Sequence, residues 1–415
     1  MENKRENDRE IAKEVERQLR LLEEGTVEIV PREELRSKLT ESVRTGRPLR
    51  VKQGIDPTSP DVHIGHMVPY RKMRQFQDLG HEAVLIIGDY TARIGDPTGR
   101  NSERPPLDAE QVRENAETYT NQIFKIVDHD RAEVRRQSEW FDRFSLSDTV
   151  GLMAEFSVAQ MLAHDTFRRR LDDGRRLSVH ELLYPVLQAY DSVVVKADVE
   201  LGGTDQKFNC LCGRELMRDR ALEPQVVICM PLLPGSDGLK MSKSAGNHIP
   251  VTASAAEMYG KVMSLPDESI TMYMMHCTGI AQEEIVDWER KLTGGTVNPK
   301  DAKMRVAFAL AKVYHGHAAA ETAANEFSRV FSADGLPDQI ETRVWRRSAT
   351  PICTLLKETG LVKSTSEGRR LVEQGGVSID GVRITDPGYE FMKPGAGRTL
   401  LRVGKRRFLH LEVES

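Results

Sequence analysis

The chain has 415 residues, of which 39% are hydrophobic and 29% charged, with a formal net charge of −4; this fits two or three globular domains with sizeable cores and gives no global sign of a polyanionic partner. No apolar run approaches the roughly 18 residues that cross a bilayer, and Met1 to Arg20 is dense in charge with no apolar centre, so neither a membrane span nor a secretory signal is read and a cytoplasmic protein is expected. The cysteines, Cys210, Cys212, Cys229, Cys277 and Cys353, are odd in number and scattered, which argues against a disulfide framework, and no second pair joins Cys210 and Cys212 at a zinc-ligand spacing.

Ile11, Val15, Leu19 and Leu22 recur at helical spacing, which predicts an amphipathic helix over 10–24 stopped by Gly25. Strands and helices then alternate from Leu49 to about Leu233. Leu49 to Ile55 reads as a strand and His63 to Leu79 as a helix stopped by Gly80. Ala83 to Ile87, Val193 to Val195 and Val226 to Ile228 read as short buried strands. Such runs between helices indicate a parallel sheet covered on both faces, whose ligands sit beyond the carboxyl ends of the strands. From Thr252 the strand signal fades; Asn298-Pro299 opens a helix and a small all-helical domain is expected. Ser332 to Asp338 reads as a linker. Beyond it, Pro351 opens a helix that stops at Gly360. Ser364 and Glu367 have capping-box spacing for a second helix, which ends at Gly375-Gly376. Asp380-Gly381 joins a hairpin of 377–379 and 382–384. Residues 341–415 carry more basic than acidic side chains while the rest of the chain is net acidic, so this end is the candidate to meet a polyanion.

Two short motifs carry chemistry. His63-Ile64-Gly65-His66 follows a strand and begins a helix. Free N–H groups and the positive end of the helix dipole favour phosphate there, and two imidazoles on one face can donate to it as charge shifts. Gly65, without a side chain, lets an adenine ring lie against the backbone. Lys240-Met241-Ser242-Lys243-Ser244 follows a glycine-rich segment, so its two lysines can close over a triphosphate and neutralise the leaving pyrophosphate. Either motif alone is weak, since most His-x-x-His and Lys pairs are plain surface sequence. In this order they resemble the HIGH and KMSKS motifs of class I aminoacyl-tRNA synthetases. Within that class, Gly54-Ile55-Asp56-Pro57-Thr58, Gly88 to Arg104, Glu181 to Asp191 and Gly202-Gly203-Thr204-Asp205-Gln206 resemble segments of the tyrosyl-tRNA synthetase family, and the resemblance covers nearly the whole chain.

The resemblance implies a Rossmann-like doubly wound α/β parallel sheet, followed by a small all-α domain and a small α+β RNA-binding domain. The expected boundaries are an N-terminal helix and arm at 1–35, a catalytic domain at 36–250, the helical domain at 251–331, a linker at 332–347 and the RNA-binding domain at 348–415. It also implies activation of tyrosine with ATP to tyrosyl-adenylate, transfer to the 3′ end of tRNA, magnesium arriving with ATP, no dedicated protein metal site, and a homodimer.

Tyr184, Gln188 and Asp191, at i, i+4 and i+7, share a helical face. By the resemblance Asp191 meets the phenolic hydroxyl. Asp96, Tyr184 and Gln188 surround the α-ammonium with Thr91 nearby, Gln206 lies near the carboxylate, and Gly54 belongs to the same pocket. For ATP it implies Asp56, Thr58, His63, Gly65 and His66 near the phosphates, Gly203 and Asp205 at the ribose, Arg100, Arg104, Lys240 and Lys243 at the pyrophosphate, and Met241 in the closing loop. Lys363, Arg369, Arg370 and Arg383 are the candidate tRNA contacts. One departure stands out. The better-known branch of the family has a tyrosine and a cysteine where this chain has Lys52 and Gln53, which puts the second phenol contact in doubt and resembles a divergent bacterial branch. A tryptophanyl-tRNA synthetase is disfavoured by Asp191 and the basic tail. A nucleotidylyltransferase is disfavoured by the second motif, the length and the tail, and an RNA-binding protein without catalysis by the two intact motifs.

Overall fold

In the computed structural model the sequence is described over residues 2–98, 108–243, 245–331, 340–347, 349–392, 397–404 and 407–413. It divides into two units, residues 1–320 and 321–415.

The first unit is organised by a six-stranded sheet of β1 (Glu28–Val30), β2 (Arg50–Ile55), β3 (Glu82–Ile87), β4 (Ala132–Arg136), β5 (Val199–Gly203) and β6 (Val226–Met230), in the order β1-β6-β5-β2-β3-β4. All neighbours are parallel except β1, which runs antiparallel to β6 at one edge. The sheet is doubly wound, as expected. Ala83 to Ile87 and every residue of β6 are buried, as strands covered on both faces require. The chain builds β2, β3 and β4 outward in one direction, then returns to place β5 on the other side of β2. The topological switch therefore lies between the carboxyl ends of β2 and β5, where such folds bind ligands.

Three readings change. Val193 to Val195 is not a strand but the last turn of the helix Leu183–Val195, which closes at Lys196 with φ 49°. Three β-branched residues are too few to display a period, and here they continue the helical face of Tyr184, Leu187 and Asp191. The first-motif helix begins at Met67 rather than His63. Residues 63–66 instead form a tight turn, with His66 N–H donating to His63 C=O at 2.9 Å and Met67 N–H to Ile64 C=O at 3.0 Å. The N-terminal helix is longer than expected, Glu2–Glu23. Its end is held by the buried Lys72, whose Nζ donates to the carbonyls of Leu22 (3.0 Å) and Glu24 (2.7 Å), satisfying acceptors that a helix end leaves open.

The segment from Ala255 is helical: Ala255–Val262, Ile270–Cys277, Gln282–Thr293, Pro299–His315 and His317–Phe331. Asn298 caps the fourth of these, accepting from Lys300 N–H at 3.0 Å, with Pro299 in its first turn. Among the described residues no helix is long and apolar enough to cross a membrane.

In the second unit, β7 (Thr342–Trp345), β9 (Val377–Ile379), β10 (Val382–Ile384), β12 (Gly397–Val403) and β13 (Arg407–Val413) form a sheet ordered β10-β9-β12-β13-β7. β8 (Ala349–Pro351) pairs with β11 (Glu390–Met392). The helices Ile352–Glu358 and Thr365–Glu373 contribute Ile352, Leu355, Leu356 and Val372 to its core beside Leu401 and Leu411. Ser364 caps the second helix as its sequence predicts. The hairpin turn has positive φ at both Asp380 (47°) and Gly381 (83°), the geometry that Asp-Gly favours.

Candidate functional site

A cavity of about 610 Å³ opens at the switch point, lined from the ends of β2 and β5, the first-motif turn, the helix Leu183–Val195 and the loop at 240–243. It gathers Gly54, Asp56, Thr58, His63, Gly65, His66, Thr91, Asp96, Tyr184, Gln188, Asp191, Gly203, Asp205, Gln206, Lys240, Met241 and Lys243 into one lining. Arg100 and Arg104 lie outside the described residues. Lys363, Arg369, Arg370 and Arg383 belong to the second unit, where all four are exposed.

One part of the cavity is a chain of polar side chains around Asp191. The Asp191 carboxylate is 2% exposed. Its Oδ2 accepts from Gln137 Nε2 at 2.8 Å, while Oδ1 has no hydrogen-bond partner. Burial pushes its pKa up to about 7, opposed by the Lys52 ammonium and the Gln137 hydrogen bond. A buried acceptor held ready in this way favours a ligand that brings a donor. Gln137 Oε1 accepts in turn from Thr91 N–H (2.9 Å), and the Thr91 hydroxyl donates to Asp56 Oδ1 (2.7 Å). Tyr184 Oη donates to Asp56 Oδ2 at 2.9 Å. Asp56, expected at the phosphates, is thus joined through its carboxylate to Tyr184 and Thr91. Gly88 makes this arrangement possible, because a Cβ there would come within 2.2 Å of Asp56 Oδ1 and 2.4 Å of Thr91 Oγ1.

Farther along the lining, Gln206 Nε2 donates to Asp96 Oδ2 (2.7 Å), and Asp96 Oδ1 accepts from Thr98 N–H (2.9 Å). Gln206 is itself held by Asn209 Nδ2 at 3.0 Å. Gly203 and Asp205 follow β5, and Asp205 Oδ2 pairs with Lys240 Nζ at 2.9 Å.

The histidine turn is fastened from outside. His63 pairs with Pro250 in an antiparallel bridge, Ile64 N–H donates to Ile249 C=O at 3.0 Å, and Val251 N–H donates to Val62 C=O at 2.9 Å. The rings of His63 and His66 stack with centroids 3.6 Å apart. Burial, with the like charges of His66, His248 and Lys243, holds the His63 pKa far below its ordinary value, so this imidazole is neutral at pH 7. A Cβ at Gly65 would meet the His63 ring at 3.1 Å and Met241 Sδ at 3.4 Å; glycine keeps that wall open. Lys243 Nζ donates to Ser59 Oγ and to the Asp61 carbonyl, and burial lowers its pKa. Asn247 ties the loop together: its Oδ1 accepts from Ser242 N–H (2.8 Å), and its Nδ2 donates to Asp237 Oδ1 (2.8 Å) and Lys240 C=O (3.2 Å). Among the described residues no group of three or more His, Cys, Asp or Glu is arranged to hold a metal ion.

Sequence reasoning missed Gln137, the link between Asp191 and Thr91, and Tyr70, whose buried hydroxyl faces the same cavity without a hydrogen-bond partner. It also missed Asn247 as the loop's clamp. Gln137 follows the end of β4, and a lone glutamine there carries no motif. For Tyr70 the position one turn past His66 was the available signal.

Comparisons with known proteins show the family to which the chain is similar. The family model described as tRNA synthetases class I (W and Y) matches residues 44–332, and that of the S4 domain matches residues 351–391. The tyrosine–tRNA ligase of Moorella thermoacetica is 48% identical over 410 residues, 97% of each chain. That of Thermotoga maritima is 47% identical over 397 residues, 95% of this chain and 97% of the relative. Among solved structures, the C-terminally truncated mitochondrial tyrosyl-tRNA synthetase of Aspergillus nidulans matches with a TM-score of 0.64 at 21% identity, over 80% of this chain and 100% of that one. The tyrosyl-tRNA synthetase of Archaeoglobus fulgidus, complexed with L-tyrosine, matches with a TM-score of 0.60 at 22% identity, over 75% and 99%. These two are likenesses of fold.

Proposed function

Since this chain belongs to the tyrosyl-tRNA synthetases of class I, we propose how its residues divide the work of joining tyrosine to tRNA. The reaction is that of a tyrosine–tRNA ligase: ATP activates tyrosine, and the aminoacyl group passes to tRNA. In the first step the tyrosine carboxylate attacks the α-phosphorus of ATP and pyrophosphate leaves. In the second, a ribose hydroxyl of the terminal tRNA adenosine attacks the acyl carbon and releases AMP. No protein nucleophile is needed, so catalysis is positioning and charge stabilisation.

Asp191 Oδ1 accepts the phenolic O–H. Tyr184, Gln188 and Asp96 receive the ammonium, with Thr91 and Asp56 behind them and Gln206 toward the carboxylate. Gly54 leaves room for the ligand. Thr58, His63, Gly65 and His66 meet the phosphates and adenine, Gly203 and Asp205 the ribose, and Lys240 and Lys243 the departing pyrophosphate, with Met241 between them against the His63 wall. Asp56, Arg100 and Arg104 complete the ATP set in this reading. Magnesium enters bound to ATP. The observation that carries the assignment is that an unpartnered carboxylate oxygen at 191 and the lysines of the 240–243 loop line a single cavity.

The second unit holds tRNA through Lys363, Arg369, Arg370 and Arg383, with affinity that falls steeply as salt rises. The divisions proposed for the chain are the helical arm at 1–35, catalytic residues 36–250, helical residues 251–331, a linker at 332–347 and the RNA-binding residues 348–415. The test is ATP–pyrophosphate exchange with each of the twenty amino acids, run on the full chain and on a chain ending at Phe331. Exchange is expected with tyrosine alone and in both forms, while tRNA charging collapses in the shorter one. Exchange with tryptophan alone overturns the specificity, and unimpaired charging by the shorter form overturns the role of the tail.

The enzyme works as a homodimer in the cytoplasm. Leu146, Val150 and Met153, at i, i+4 and i+7, expose one apolar face of the helix Leu146–Ala154, and Val158 follows, also exposed. A second copy covering that face would remove it from water. Sedimentation should give twice 46.8 kDa, and Val150→Asp should give the monomer; a wild-type monomer, or a dimeric variant, refutes the assignment of this face. The five cysteines are free thiols, which suits a reducing compartment.

A further inference from the structure

The roles above leave unused a buried ion pair beneath the amino-acid end of the cavity. Lys52 on β2 and Glu200 on β5 are register partners across adjacent parallel strands. Their side chains are 0% and 1% exposed, with Nζ and Oε1 2.9 Å apart. Two charges removed from water in this way add little net stability, and losing one partner leaves the other uncompensated. Such a pair is therefore better explained by what it orients.

Both members hold Gln188. Lys52 Nζ donates to the backbone carbonyl of Gln188 at 3.1 Å and to Ser192 Oγ at 2.6 Å. Glu200 Oε1 accepts from Gln188 Nε2 at 3.1 Å. The other oxygen of Glu200 accepts from Gln225 Nε2 and, at 3.4 Å, from Ser192 Oγ. Gln188 Nε2 also faces Cys210 Sγ at 3.9 Å. A carboxylate accepts and does not donate, so the nitrogen end of the Gln188 amide is committed to Glu200. The side-chain oxygen, Oε1, is the end left for the cavity that Gln188 lines.

We propose that Lys52 and Glu200 are positioning residues for amino-acid recognition. Glu200 fixes the Gln188 amide with its oxygen presented to the α-ammonium of the substrate, and Lys52 supplies the countercharge that the buried carboxylate requires while bracing the same turn of helix. This assigns Lys52 a place behind the pocket rather than a contact with the phenol. The inference rests on the tyrosine reading of the cavity.

The test uses the double variant Lys52→Met/Glu200→Met, which removes both charges and the acceptor for Gln188 together and so avoids stranding either charge. In ATP–pyrophosphate exchange its KM for tyrosine should rise about tenfold, the loss of one hydrogen bond to a charged group, with kcat and KM for ATP nearly unchanged. The deaminated analogue 3-(4-hydroxyphenyl)propionate, which has the phenol and carboxylate but no ammonium, should inhibit the variant and the wild type equally. Adding Gln188→Glu to the double variant should restore most of the tyrosine KM, because a carboxylate presents an acceptor in either orientation. A wild-type tyrosine KM in the double variant overturns this inference alone. So does a parallel loss for tyrosine and the deaminated analogue, which would mark a general collapse of the pocket. Silence of the wild type with tyrosine overturns the tyrosine reading and this inference together.

Discussion

Asp191→Asn should cut kcat/KM for tyrosine in pyrophosphate exchange by about 100-fold, the worth of a buried hydrogen bond to a charged acceptor, and should make the protein more stable. In the folded chain Asp191 is surrounded by protein, and its pKa is raised to about 7. Because the folded form holds this proton more tightly than the unfolded chain does, ionising Asp191 costs stability progressively as pH rises from about 4 to about 7. The full penalty applies above that, about 4 kcal/mol from the size of the shift. Asparagine has no charge to bury, so the variant's gain in melting temperature should be small near pH 4 and should widen until about pH 7.5. For the wild type, KM for tyrosine should rise as pH falls through 7, since the protonated carboxyl offers the phenol only a neutral, weaker acceptor in place of a charged one. Discrimination against phenylalanine should shrink in the variant by about the factor lost for tyrosine. Thermal melts and exchange assays over pH 5–8 check both halves. A variant that loses activity and stability together would mean that Asp191 is a structural acid, not one held ready for substrate.

Lys243→Ala should lower kcat for exchange by about 10²–10³-fold, the usual loss when a positioned group that stabilises developing charge is removed, while KM for tyrosine stays nearly constant. The ammonium is bonded to Ser59 Oγ and the Asp61 carbonyl, and Tyr119 Oη lies 3.0 Å from the same Ser59 Oγ. The lysine is therefore held beside the phosphate-facing turn by the protein's own acceptors, and burial lowers its pKa. Steady-state kinetics that vary tyrosine and ATP separately decide the matter; equal losses in tyrosine binding and turnover would remove the loop from the pyrophosphate step.

Much of this site is visible in the sequence because local spacing encodes it. The histidines at 63 and 66, the face of Tyr184, Gln188 and Asp191, and the lysines at 240 and 243 each lie within a few residues, where local chain geometry decides what shares a surface; that 63–66 is a turn and not the first turn of a helix is not legible there. The sheet is visible where its strands are apolar on both faces, as at Ala83–Ile87. It is hidden where they lie at an edge: β1 has three residues, and β4 alternates Glu133 and Arg135 with its neighbours, Glu133 meeting Arg50 at 2.6 Å. The partnerships that could not be read are those formed by register alone. Lys52 and Glu200 are far apart in sequence and meet only because β5 settles beside β2, and Gln137 meets Asp191 and Thr91 from a third segment. No periodicity links such positions. The substitution of lysine for the usual tyrosine at 52 signalled a change, but its meaning required the neighbouring strand.

The antiparallel bridge from 62–64 to 249–251 has a consequence for the timing of catalysis. Met241 N–H donates to Leu233 C=O at 3.1 Å and Ile64 N–H to Ile249 C=O, so the lysine-bearing segment is moored at both ends, and its downstream mooring is the histidine turn itself. The entropy of bringing a distant stretch of chain to the triphosphate is thus lost once, when the protein folds, and not again at each turnover. ATP meets a cation on a short leash at high local concentration.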